Sequence, residues 1–195
     1  MARYLVRIAN KARYEPKDSQ PLARTIRELL GGKEIIGHLR VGSKAIELDL
    51  FAYNPRELSS RLSLIESKIG KVVTLKPLDQ LPQAKPKRDS IRDGIKLFNQ
   101  ERFWECHEVL EQAWHPSKGT ERDIIQGLIL TAAGLVHAQR NEIGVSLSML
   151  KKAQVKLGIQ ESYEGIDLNR VNAAINRILD SKHPEAFKIK VQSLS

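Results

Sequence analysis

Twelve residues, Phe103–Trp114 (FWECHEVLEQAW), followed by an almost wholly apolar run at Ile124–His137, constrain this chain more than any other feature. At about 100° per residue, Phe103, Cys106, Leu110, Ala113 and Trp114 fall on one side of a helix, with Val109 at its edge. Glu105 and Gln112 fall on the opposite side, which reads as wet. His107 and Glu111 stand one turn apart at the border of the apolar face, where i and i+4 side chains meet, and Glu108 lies a step further out. In the second run, Ile124, Ile125, Leu128, Ile129, Leu130, Leu135 and Val136 leave no clean polar face, so that helix is expected to be buried nearly all round. Gln126 and His137 interrupt it on one stripe roughly 16 Å long. The short connection His115–Thr120 predicts antiparallel neighbours. Counting back from it puts Gln126 level with Glu111 and His107, and His137 level with Phe98. The expectation is a Gln126–Glu111–His107 polar cluster inside an apolar bundle. Removing the Glu111 carboxylate would then strand its partners at a cost of about 1–3 kcal/mol.

The 195 residues suit one large or two small domains. No run approaches the roughly 20 apolar residues of a membrane span, so no membrane partner is expected. The start, MARYLVRIANKAR, has no apolar signal-peptide core and alternates like a strand. A single cysteine excludes an internal disulfide and an all-cysteine metal site, and a reducing cytoplasm is the expected location. The net charge of +9 is uneven. Residues 1–80 hold 15 Lys+Arg against 9 Asp+Glu, residues 81–90 hold 3 against 1, and residues 91–195 hold 14 against 13. An excess at the front points to nucleic acid or to a basic, soluble surface.

The first 80 residues read as strand, helix, strand, strand, helix, strand. Arg3–Ala9 alternates; Pro21–Leu30 has helical spacing and stops at Gly31–Gly32. Glu34–Val41 and Lys44–Ala52 flank Gly42–Ser43, a hairpin signal. Asn54 caps a helix that has Pro55 at its first position and runs to about Ile69, and Lys71–Lys76 is the last strand. This order is the ferredoxin-like (βαββαβ) plan, giving an α+β fold class with an N-terminal ferredoxin-like domain over 1–80. With Tyr4, Val6, Ile8, Ile46, Leu48 and Leu50 turned to the helices, Arg3, Leu5, Arg7, Glu47, Asp49 and Phe51 face outward, with opposite charges side by side. An RNA-binding sheet of this plan needs exposed aromatics, so this one is a poor platform. Nucleic acid would use Lys11, Arg13, Lys17, Arg40 and Lys44 at edges and loops.

Residues 81–88, rich in proline and basic residues, read as a linker, and Asp89–Ser90 as the cap of the next helix. Residues 89–195 read as an all-helical bundle domain with an extended tail. Within it, GIKLFNQERFWECHEVLEQA from Gly94 aligns with GLVHAQRNEIGVSLSMLKKA from Gly134 at an offset of 40, a pair of similar helical hairpins. Asp167 caps a helix reaching about Asp180, and Phe187, Ile189 and Val191 form a strand or strap.

His107-Glu108-x-x-Glu111 invites comparison with the zinc-protease pattern H-E-x-x-H, with Glu111 in place of the second histidine. His107 and Glu111 would be the two ligands of any metal and Glu108 a base, but a third ligand is needed and His137 is too far along its helix. A hydrogen-bonded structural network explains the same residues, because buried polar groups must find partners. Cys106 and His107 diverge by about 100° and form no dyad, and Cys106 reads as an inert core thiol. His38, His115 and His183 read as loop or surface residues. The absence of Walker, G-x-G-x-x-G and G-x-S-x-G patterns leaves no nucleotide or esterase site, and no cofactor is implied.

F-x-x-x-x-F-W-E-x-H-E-x-L-E-x-x-W followed by Q-G-L-I-L-x-A-A-G-L-V-H resembles the domain-of-unknown-function family numbered 309, over roughly residues 90–160. The resemblance implies a small helical bundle and no established activity. The turn Gln100–Glu101 lacks a glycine often found there, and Cys106 replaces a small residue. The site residues expected to matter are His107, Glu108, Glu111, Trp114, Gln126 and His137. The leading reading is a non-catalytic binding or scaffold module for a protein or small-molecule ligand. A metal-dependent hydrolase at the same cluster and a nucleic-acid-associated protein are the alternatives.

Overall fold

The computed structural model describes residues 1–79 and 85–191. Residues 81–84 of the expected linker and the end of the tail, 192–195, lie outside the described residues. The chain divides into two compact units, Met1–Pro82 with Gln139–Asn141 and Gln83–Ala138 with Glu142–Ser195. The fold is α+β, with a four-stranded antiparallel sheet near the N-terminus and a helical C-terminal region.

The front unit runs β1 (Ala2–Ala9), α1 (Ser19–Leu30), β2 (Ile36–Val41), β3 (Ala45–Ala52), α2 (Pro55–Lys68) and β4 (Val72–Pro77), with sheet order β2-β3-β1-β4. Asn54 caps α2 by accepting from the Glu57 N–H at 2.9 Å, and Pro55 follows at the first helical position, where its missing N–H costs nothing. Pro77 is tolerated because β4 is an edge strand. The strand faces divide as their alternation predicts. Val6, Ile8, Ile46, Leu48 and Leu50 join Leu22, Ile26 and Ile65 of the helices in one apolar core. His38 is a surface residue, exposed on β2 with φ +47° at the irregularity that separates the Gly37 and Arg40 pairings.

The other sheet face departs from expectation. Arg7 pairs across to Glu47 at 2.9 Å, and Arg3 to Asp49 at 2.6 Å. Glu47, Asp49 and Arg40 are buried at 3%, 0% and 2% exposure. Arg40 is therefore no surface cation open to nucleic acid. It bridges both carboxylates, 3.6 Å from Glu47 and 3.3 Å from Asp49. Alternation places the charges correctly but cannot reveal that they neutralise one another well enough to be enclosed.

The helical unit contains α3 (Lys87–Asn99), α4 (Phe103–Trp114), α5 (Gly119–Gln139), α6 (Ile143–Leu157) and α7 (Leu168–Ser181). Asp89 and Ser90 do not cap α3, which starts at Lys87, so the expected linker's last two residues are helical. The unit is not all helix: β5 (Ser162–Tyr163) and β6 (Ile166–Asp167) form a two-stranded ribbon around Glu164–Gly165, both at positive φ. Asp167 caps α7 through the Arg170 N–H at 3.0 Å. The tail is a strap: Ile189 is buried, and its backbone N–H and carbonyl both bond the Asn99 side chain at 2.8 Å.

The internal repeat is geometric. Glu101 and Asn141, 40 residues apart, both take φ near +60° (+60° and +62°). The N–H of Arg102 bonds the Leu97 carbonyl at 3.1 Å, and that of Glu142 bonds His137 at 2.9 Å. A Cβ on Gly94 would lie 2.7 Å from Leu110, and one on Gly134 2.9 Å from Leu150. Each hairpin thus seats a leucine on a glycine, which lets the helix backbones approach closely.

Candidate functional site

α4 carries the polar face that the sequence singles out. Its apolar stripe, Phe103, Cys106, Leu110 and Ala113, is fully buried and fixes the rotation of the helix. That rotation leaves His107 half-buried and Glu108 and Glu111 beside it, more open, at 46% and 42% side-chain exposure. The His107 Nδ1 lies 3.3 Å from a Glu108 oxygen, and Nε2 lies 3.7 Å from Glu111. One ligand atom from each of the three residues falls within a 4.8 Å cluster, so these are the side chains that could hold a divalent ion, and Glu108 is a potential ligand alongside His107 and Glu111. Such an ion would meet three protein atoms and water, and would bind the histidine in its neutral form.

The Glu108 hydrogen bond and the Glu111 and Glu108 charges raise the His107 pKa above its ordinary 6.5, against the opposing effect of burial. A raised value means that the protonated pair stabilises the fold fully below about pH 6.5, and that the contribution disappears as pH climbs through the folded-state value. Because the carboxylates are open to water, the contribution is at most about 1 kcal/mol. Urea unfolding of the natural chain and of His107→Gln should therefore diverge most near pH 6 and converge as pH rises through the raised value of His107. A constant gap across that range would count against the pairing.

Gln126 does not join this group. Among the described residues it makes no hydrogen bond, and no sealed Gln126–Glu111–His107 network forms. With Glu111 half open, its removal strands no buried partner, and the cost expected from the sequence falls below about 1 kcal/mol. His137 is separate as well, bonding Glu142 through Nδ1 at the α5–α6 corner. Glu105, expected to be wet, is 3% exposed; the Arg102 guanidinium grips both its oxygens at 2.7 and 2.8 Å, so the charge is enclosed as a pair. Cys106 is completely buried, and burial drives its thiol pKa far upward, which leaves it inert.

Gln126 and Trp114 instead line a groove of about 400 Å³ with Arg122, Leu130, Lys152 and Val155. Arg122 lies over the Trp114 ring, 3.7 Å from its centroid. Val155 is 77% exposed, and Lys156 is held by Asp123 at 2.6 Å, whereas Lys152 has no ionic partner among the described residues. The sequence signal that could have shown this wall is one valine inside the cationic stretch Lys151–Lys156 of an amphipathic helix.

Residues 91–149 match the family described as Domain of unknown function (DUF309). This segment is a DUF309 domain. It takes in most of α3, all of α4 and α5, and the start of α6, and so includes His107, Glu108, Glu111, Trp114, Gln126 and His137. The front sheet, the β5–β6 ribbon and α7 lie outside the DUF309 match. A crystal structure of a conserved hypothetical protein from Thermus thermophilus is similar at 32% identity, covering 46% of this chain and 94% of that one, with a TM-score of 0.41. No curated protein matches the chain. Neither the DUF309 family nor the Thermus thermophilus protein carries an activity in its description.

Proposed function

We propose that the DUF309-bearing unit is a non-catalytic binding module, and that its groove takes an acidic, amphipathic segment of a partner protein. The observation that carries this reading is Val155, 77% exposed on the groove wall within a strongly cationic stretch. Trp114 and Leu130 extend the apolar surface, Arg122 and Lys152 supply positive charge, and the Gln126 amide has hydrogen-bonding capacity to spare. An apolar strip edged by cations is complementary to a helix with leucines at i and i+4 and glutamates between them.

A fluorescein-labelled peptide of that pattern should bind the full chain, with affinity falling as salt rises. Val155→Asp should weaken it at least tenfold, or about 1.4 kcal/mol. Absence of binding to the natural chain, or equal binding by Val155→Asp, would refute the reading. We also read the front unit as ferredoxin-like; the βαββαβ order together with sheet order β2-β3-β1-β4 supports this. A reducing compartment such as the cytoplasm fits the single, buried cysteine.

A further inference from the structure

The front unit has a second concavity, a basin of about 650 Å³ at the C-terminal end of α1, lined by Gln20, Arg24, Arg27, Glu28 and Lys33 around Gly31–Gly32. Three cations face one carboxylate. Among the described residues, the side chains of Arg24, Arg27 and Lys33 make no ion pair or hydrogen bond. Glu28 is the one carboxylate in the lining, and it forms no ion pair with any of the three among the described residues. Helix C-termini ordinarily repel anions, because their last carbonyls are unsatisfied. Here the Gly31 and Gly32 N–H groups turn back onto the Arg27 carbonyl at 3.0 and 3.1 Å, so part of that negative end is capped. Gly31 takes φ +83° and has nothing within 4 Å of where a Cβ would stand, which leaves the rim open.

We propose that this basin is a phosphate-backbone site for double-stranded nucleic acid, bound without regard to sequence. Arg24 and Arg27 sit three apart on α1, so both guanidinium forks point to one side, the arrangement that grips phosphate oxygens. The lining has no aromatic side chain, so bases have nothing to stack on and the duplex backbone is the better fit than a single strand. This site differs from the peptide groove in unit, residues and ligand, and either can fail alone.

The test is anisotropy of a labelled 20-base-pair duplex of arbitrary sequence against the full chain across a salt series. Three phosphate contacts contribute a slope of about −2.7 to log affinity against log salt, or about forty-fold weakening between 50 and 200 mM. The triple variant Arg24→Gln/Arg27→Gln/Lys33→Gln should lose that share of the slope and bind at least tenfold more weakly at low salt. Lys33→Glu alone, placed beyond the end of α1, should weaken binding severalfold and serves where the triple variant does not fold. A second duplex of unrelated sequence should bind equally. Unchanged slopes in the variants would overturn the proposal. So would polyglutamate displacing the duplex at equal charge concentration, since that would identify a general acid-binding surface, and so would a natural chain that ignores duplex at low salt.

Discussion

Asp49→Ala is expected to destabilise the front unit by about 3–5 kcal/mol, the range for stranding a buried charge. Asp49 has no exposure at all. One of its oxygens accepts from Arg3 at 2.6 and 3.2 Å, and the other lies 3.3 Å from Arg40. Arg40 is itself 2% exposed, and it sits 3.6 Å from Glu47 as well as beside Asp49. The loss comes from taking one carboxylate away from a buried cluster of charges that neutralise one another, rather than from the missing side chain's own packing. Asp49→Asn keeps the shape and removes the charge, so it should fall between the natural chain and alanine. Urea unfolding followed by circular dichroism, with the two units' transitions fitted separately, measures it. A loss under 1 kcal/mol would mean that water reaches Arg40.

Gly127→Ala should cost about 1–3 kcal/mol in the helical unit even though alanine is the better helix former by up to about 1 kcal/mol. The added methyl would lie 2.7 Å from the Leu157 Cγ and 2.9 Å from its backbone nitrogen. A side chain can rotate away but a helix backbone cannot, so α5 and α6 must separate. Gly144→Ala, on the partner helix α6, meets nothing within 4 Å and should be neutral or slightly stabilising. The same chemical change thus takes opposite signs at two sites. Thermal melts of the pair check it, and equal shifts would show that the α5–α6 contact has room for the methyl.

The period of the apolar residues makes much of this fold readable in advance. Phe103–Trp114 is a helix over those same residues, because its buried stripe and the short His115–Lys118 connection leave no other register. Polarity alone cannot report pairing: Glu105, Glu47 and Asp49 read as wet, yet they are enclosed because an arginine reaches each. Axial counting places Gln126 level with Glu111, but level is one coordinate. How far each helix turns about its own axis comes from packing, and here it brings Gln126 to the groove with Trp114 and leaves His107 to its own α4 carboxylates. The β5–β6 ribbon is unreadable in advance because a two-residue strand has no alternation to detect.

The glycine-seated leucines have a kinetic side. Gly94 meets Leu110 and Gly134 meets Leu150, each pair 16 positions apart, so either hairpin can zip shut using only nearby chain. Leu5 must find Lys76, 71 positions later, before the sheet is whole. Short closures form faster than long ones, so a chain diluted from denaturant assembles its C-terminal half ahead of its N-terminal half. A ribosome delivers the halves in the opposite order, and the slow sheet gains its head start only during synthesis.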